Sequence, residues 1–210
     1  MKTFLTIALT LAGLAATSLP AWAQDVTAGK SLYSSCVACH GAMAEGNQDF
    51  SAPRLNHLEP VYIAAQLDKF RQGIRGGEGA SLTARQMAPM AATLADDQAL
   101  ADVAAYIASL DSEPSAATIE GDAAMGADYY NQFCGACHGA AGQGNLALNS
   151  PPLAGGDDWY LEAQLLAFRA GQRGSHPKDT TGKQMRAMAV ILPDEQAVKD
   201  VVAFLHSLGR

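Results

Sequence analysis

Apolar residues return at helical spacing along most of the chain beyond residue 24. Ile63, Leu67 and Phe70 stand four and three positions apart, as do Leu161, Leu165 and Phe168; a helix gathers such residues onto one stripe. The pattern predicts helices over Glu59 to Gln72 and Asp158 to Ala170, each stopped by a glycine, Gly73 or Gly171. Val103, Tyr106, Ile107 and Leu110 form the apolar face of a helix that starts near Asp96. Val201, Phe204, Leu205 and Leu208 form the face of another that starts near Asp194. An acidic residue at such a start suits the positive end of the helix dipole. Shorter helices are predicted over Ala28 to Ser35 and Ala123 to Phe133, and stretches such as Gly73 to Ala80 read as glycine-rich loops. No strand-like alternation competes, so the predicted fold class is all-α.

The first segment has a different pattern. Phe4 to Leu19 is an uncharged apolar run behind Lys2, closed by Pro20 and by Ala21-Trp22-Ala23. A basic start, a short apolar middle and a small-x-small end make a secretory signal. Residues 1–23 are therefore expected to be removed after Ala23, leaving an exported chain from Gln24. Past that point no uninterrupted apolar run approaches membrane length, so no transmembrane anchor is expected after cleavage.

The remainder repeats itself. Cys36-Val37-Ala38-Cys39-His40-Gly41-Ala42 recurs as Cys134-Gly135-Ala136-Cys137-His138-Gly139-Ala140, displaced by 98 positions. The displacement then holds without a gap: Pro53 maps onto Pro151, Tyr62 onto Tyr160, Gln66 onto Gln164, Arg75 onto Arg173 and Met87 onto Met185. Roughly 33 of 75 positions are identical, the mark of a duplicated unit. Upstream the register slips by one, since Gly29 and Tyr33 match Gly126 and Tyr130; the second copy holds one extra residue just before its first cysteine. Asp111 to Gly121 carries proline, serine and glycine and reads as a connector. The expected organisation is a first domain over 24–111, a linker over 112–121 and a second domain over 122–210.

Composition narrows what two such domains need. The chain is 49% apolar and 17% charged over 210 residues, which excludes a disordered chain and a polytopic membrane protein. A formal net charge of −7 argues against a nucleic-acid partner, which calls for a basic face. Aromatic residues make up only 7%, thin for two cores of under about a hundred residues, and domains that small ordinarily need a staple.

All four cysteines lie in Cys-x-x-Cys-His units, the attachment signature of a c-type haem. Two thiols about one helical turn apart add across the two vinyl groups of one porphyrin, and the next residue supplies an axial imidazole. Cys36 and Cys39, then Cys134 and Cys137, are the predicted thioether sites, with His40 and His138 as proximal ligands of two covalently bound haem c groups. A zinc site would space its cysteine pairs about fifteen to twenty residues apart, a redox dithiol would need a βαβ setting, and an exported chain could hold disulfides instead. None of these explains the paired histidines.

The opposite axial ligand separates a carrier from a catalyst, because a closed His/Met site exchanges electrons while an open iron admits small ligands. Each copy holds Met-x-x-Met about fifty residues after its cysteines: Met87 and Met90, Met185 and Met188. Spacing alone does not choose within a pair. The second of each precedes Leu94 or Leu192 by four and is placed to pack on a helix; the first lies nearer the loop side. His57, His176 and His206 have no counterparts at Gly155, Glu78 and Ala108 and are read as surface or packing residues. Pro53 and Pro151 are candidates to hold the two imidazole rings in place, since a metal-bound imidazole donates its free N–H to a carbonyl. The shared arginines Arg71, Arg75, Arg169 and Arg173 are candidates for haem propionates, with solvated surface charge as the other reading.

Together these residues resemble class I cytochromes c, and the tandem resembles the dihaem cytochrome c4 family over essentially the whole mature chain. The resemblance rests on Gly29-x-x-x-Tyr33 and Gly126-x-x-x-Tyr130, both Cys-x-x-Cys-His units, Pro53-x-Leu55 and Pro151-x-Leu153, the methionine segments and Ala104-Ala105-Tyr106. It implies two haem domains related by pseudo-two-fold symmetry, and Met87 and Met185 as the axial sulfur ligands. It also implies periplasmic electron carriage between redox proteins, such as membrane-bound respiratory complexes ending in an oxidase or reductase, with peripheral membrane association possible. Where the family often caps its last helix with Ser or Thr, this chain has Ala95 and Pro193. Two other functions are carried forward: the dihaem subunit of a periplasmic dehydrogenase, and a haem enzyme in its own right.

Overall fold

The computed structural model describes residues 24–209; the predicted signal segment and its cleavage site lie outside them. In the first half, α1 (Val26–Tyr33) leads into the one-turn α2 (Val37–His40), followed by α3 (Pro60–Arg71), α4 (Leu82–Ala91) and α5 (Asp97–Ala108). The second half repeats the order as α6 (Ala123–Phe133), α7 (Gly135–His138), α8 (Asp158–Arg169), α9 (Thr180–Ala189) and α10 (Glu195–Leu208). The fold is all-α.

Each half is built on a crossing of its first and last helices. At the crossing point stands a glycine: a Cβ on Gly29 would lie 2.0 Å from the Asp102 carbonyl oxygen, and one on Gly126 would lie 1.9 Å from that of Asp200. Only a residue without a side chain allows that approach. Tyr33 then tilts against Tyr106 with ring centroids 5.5 Å apart, and Tyr130 against Phe204 at 5.4 Å, so the exchange of Tyr106 for Phe204 keeps the contact. Around these rings Ile63, Leu94, Leu100, Val103 and Ile107 close one core. Leu192, Val198, Val201, Val202 and Leu205 close the other. Asp96 and Asp194 cap α5 and α10, their Oδ1 atoms accepting from Ala99 N and Ala197 N at 2.9 Å. The cap therefore falls one residue after Ala95 and Pro193, and the missing Ser or Thr costs nothing.

The extra residue of the second copy is absorbed by helix. In the first half the Cys36 N–H bonds back to Tyr33 O, three residues away, whereas in the second the Cys134 N–H bonds to Tyr130 O, four away. Both Cys-x-x-Cys-His units thus start from the same tyrosine. Helices α4 and α9 differ from the expectation that the first methionine of each pair would lie on the loop side: Met87, Met90, Met185 and Met188 all lie within helices. Pro89 inside α4 and Gly182 inside α9 had masked the helical pattern.

The connecting segment is extended and fastened at several points. Thr118 and Ile119 donate backbone N–H groups to Asp158, with the Ile119 bond at 2.8 Å, and the Ser115 hydroxyl donates to Asp157 Oδ1 at 2.8 Å. Arg54 of the first half donates through Nη1 to Gly155 O at 2.8 Å and through Nε to Ser112 Oγ at 3.1 Å. Lys69 Nζ reaches Asp179 Oδ1 at 2.6 Å. The halves are docked, not merely tethered.

Candidate functional site

Each Cys-x-x-Cys-His unit forms a single helical turn, so its two thiols leave the chain about one turn apart. All four cysteines are free; Cys39 and Cys137 are exposed and Cys36 and Cys134 half-buried. Burial pushes the Cys36 thiol up, and the Cys134 thiol to about 11, so both are protonated at neutral pH. The Tyr33 hydroxyl donates to Gly41 O at 2.8 Å and Tyr130 to Gly139 O at 2.6 Å, pinning the residue that follows each histidine. Burial raises both phenols, Tyr130 to about 12, and keeps them as donors.

His40 and His138 are buried, at 6% and 5% exposure. In both, Nδ1 lies 2.9 Å from a proline carbonyl, Pro53 O and Pro151 O respectively. A carbonyl only accepts, so Nδ1 carries the proton and Nε2 is the basic nitrogen. Burial lowers the pKa of both rings despite that bond, and a neutral imidazole is the form that binds iron. The loops that present the carbonyls are closed by matching backbone pairs, Asn47 with Ala52 and Asn145 with Ser150. Met87 and Met185 are half-buried, as is Met188, while Met90 is 42% exposed.

Of the four shared arginines, two stay local. Arg71 pairs with Asp68 at 2.8 Å and Asp97 at 2.5 Å, and Arg169 donates to Ala189 O at 3.0 Å and to Leu192 O. Arg75 and Arg173 meet between the halves in a reciprocal network. Arg75 donates to Gln66 of its own half at 2.9 Å and to Tyr160 and Gln164 of the other at 2.8 and 3.0 Å. Arg173 donates to its own Gln164 at 2.7 Å and to Tyr62 and Gln66 opposite at 3.3 and 3.0 Å. Each guanidinium also covers a phenylalanine of its own half, Phe70 at 4.5 Å and Phe168 at 4.6 Å. Burial and the facing like charge press Arg75 downward. Burial alone would raise Tyr160, yet the two guanidiniums hold it below its usual range.

Arg75 Nε is buried and has no hydrogen-bond partner among the described residues. A buried unpaired donor on a cation is costly, and a carboxylate is the acceptor that satisfies it. Free thiols on one turn, a neutral imidazole with Nε2 available and a buried cation with a spare donor together fit an acidic porphyrin. Sequence reading missed Arg54, Asp157 and Asp158. Their partners lie far away in the chain, in the other half or in the connecting segment, and their equivalents in the other copy are Pro152, Glu59 and Pro60, so the repeat gave no signal.

The comparisons agree with this geometry. The Cytochrome c family model matches residues 26–111 and again 123–209. A thiosulfate dehydrogenase electron acceptor of Stutzerimonas stutzeri is 34% identical over 219 residues, covering 95% of this chain and 94% of that protein. Cytochrome c4 of Azotobacter vinelandii is 30% identical over 217 residues, covering 98% of this chain and 99% of that one. Among solved structures, reduced cytochrome c4 from Pseudomonas stutzeri aligns with a TM-score of 0.67 at 25% identity, over 87% of this chain and 98% of that one. The thiosulfate dehydrogenase TsdBA of Marichromatium purpuratum aligns at 0.68 with 30% identity over 86% of this chain, which spans only 39% of that longer chain. The chain belongs to the cytochrome c family, as a tandem member of the cytochrome c4 type that carries two covalently bound haem c groups and transfers electrons.

Proposed function

We propose that this protein is an exported, periplasmic carrier that takes single electrons from a dehydrogenase and passes them toward a terminal oxidase or reductase. Cys36, Cys39, Cys134 and Cys137 would hold the two haems as thioethers, His40 and His138 would offer Nε2 to the iron, and Met87 and Met185 would offer it sulfur. Bound in this way, each haem supplies a one-electron ferric/ferrous couple. Pro53 and Pro151 fix the imidazole rings and raise their basicity through the carbonyls at 2.9 Å. The domains are taken as 24–111 and 122–210, with 112–121 as the strap between them.

One observation carries this reading: the same histidine–proline bond, at the same length, occurs in both halves, and the halves are docked through a shared polar network. Two equivalent sites in one docked pair suit relay of electrons. Substrate chemistry would call for one iron with an open position, and both copies keep their methionines. The 34% identity to a thiosulfate dehydrogenase electron acceptor favours a donor of that type, a sulfur-oxidising dehydrogenase. The acidic chain suits a donor with a basic docking patch.

The test mixes the oxidised holoprotein with a thiosulfate dehydrogenase and thiosulfate in a stopped-flow instrument. Rapid reduction of both haems, with an on-rate that falls as salt rises, supports the donor. Reduction no faster than with an unrelated small cytochrome removes it. Mass spectrometry checks the carrier itself: the secreted chain, processed after Ala23, should exceed its polypeptide mass by two haems.

A further inference from the structure

The peptide that joins Pro53 to Arg54 is engaged at both ends. Its carbonyl accepts from His40 Nδ1 at 2.9 Å, and its N–H donates to Asp157 Oδ2 of the second domain at 2.7 Å. Asp157 is 3% exposed, and its other oxygen is occupied by the Ser115 hydroxyl. The second domain has no such chain of bonds. Pro151 O accepts from His138 at the same 2.9 Å, but the next residue is Pro152, which has no N–H to offer. Glu59, the counterpart of Asp157, is exposed.

We propose that Asp157 is a positioning residue for the first haem: acting through the Pro53–Arg54 peptide, it strengthens the hydrogen bond on His40 and lowers the potential of that haem alone. The peptide is conjugated, so a carboxylate drawing on its N–H shifts electron density toward its oxygen. Successive hydrogen bonds polarise one another in this way, most strongly inside a low-dielectric interior, and a charged acceptor makes the first bond strong. A richer carbonyl oxygen pulls harder on the His40 Nδ1 proton, and the ring becomes a more basic ligand. A more basic ligand favours ferric over ferrous iron. Two domains of nearly equal design thereby acquire unequal potentials through one cross-domain carboxylate. This inference rests on His40 being the axial ligand of the first haem.

The Arg54 guanidinium also sits in this cluster, and its positive charge acts in the opposite sense through space. A pair of variants separates the two effects. Arg54→Ala and Arg54→Pro both remove the guanidinium, but only the proline removes the N–H. Pro152 shows that the repeat accepts proline at this place. Haem-resolved redox titration of the holoprotein by NMR should find the first haem more easily reduced in Arg54→Pro than in Arg54→Ala. The expected change in the ferrous/ferric ratio at fixed potential is about threefold to tenfold, smaller than losing a direct partner of a metal-bound imidazole; tenfold corresponds to about 59 mV for one electron. Asp157→Asn should raise the first potential in the same sense and leave the second in place. In the reduced protein the His40 Nδ1 proton signal should move in Asp157→Asn and Arg54→Pro but hold in Arg54→Ala. Equal first-haem potentials in the two Arg54 variants would overturn the proposal, as would Asp157→Asn moving both haems alike, the mark of an unrouted charge. If His40 were not the ligand, the unsubstituted protein would lack a haem-shifted His40 ring, a failure read separately from any potential.

Discussion

At the scale of the residue, the chemistry was legible wherever it is local in sequence. Two thiols and an imidazole on one turn identify themselves by spacing, and His40 and His138 stand buried with their outer nitrogens held. The methionines were less legible, because Met-x-x-Met offers two sulfurs on one face of one helix. Replacing Met87 or Met185 with alanine should abolish the near-infrared charge-transfer band of that ferric haem, lower its potential and admit carbon monoxide. Met90→Ala should leave the band in place, since Met90 is 42% exposed. Loss of the band in Met90→Ala instead would reassign the ligand. His57 was read as surface or packing, and it packs against Gly155 and Gly156 of the second half, its Nδ1 without a hydrogen-bond partner among the described residues. Burial, helped by the Arg54 charge, lowers its pKa from 6.5 to about 4. The unfolded chain then binds the extra proton, so the stability this group contributes is full above about 6.5 and is lost as the pH falls toward 4. The loss should approach about 3 kcal/mol at full protonation. Denaturant titrations of the wild type and His57→Gln across that window check it, the variant showing the flatter profile.

At the scale of the element, apolar periodicity located six helices to within a residue or two, because each buries one stripe against a core. The capping aspartates, Asp96 and Asp194, are visible in the sequence one position beyond where a serine or threonine had been sought. Helices α4 and α9 were hidden because residues with poor helix propensity, Pro89 and Gly182, sit inside them, and propensity yields to tertiary packing. The glycines at the helix crossings were legible as a repeated motif, but their reason is structural. Gly29→Ala or Gly126→Ala should destabilise its half by about 1–3 kcal/mol or more, since the new Cβ meets backbone and not a movable side chain. Chemical denaturation followed by the Soret band checks the cost, and a value near zero would mean that the helices slide apart freely.

At the scale of the whole molecule, the resemblance implies that the halves pack together, but the residues that dock them were not legible, because they lie up to 112 residues apart and many of them break the repeat. Lys69 pairs with Asp179 at 2.6 Å, yet the equivalent positions are Ala167 and Ser81. Lys69→Ala should cost about 1–3 kcal/mol of stability, since it leaves a carboxylate only 4% exposed without its cation. Thermal unfolding at low and high salt checks this, with no change expected in the haem content or the visible spectrum. The central network has the opposite character. Tyr62, Gln66 and Arg75 occupy the same repeat positions as Tyr160, Gln164 and Arg173, and every cross-contact is returned in kind. Such a surface is complementary to itself, the condition for an isologous homodimer. The two halves therefore meet as the subunits of such a dimer would, and Arg54 and Lys69, whose contacts have no return partner in the repeat, mark where the seam departs from self-complementarity.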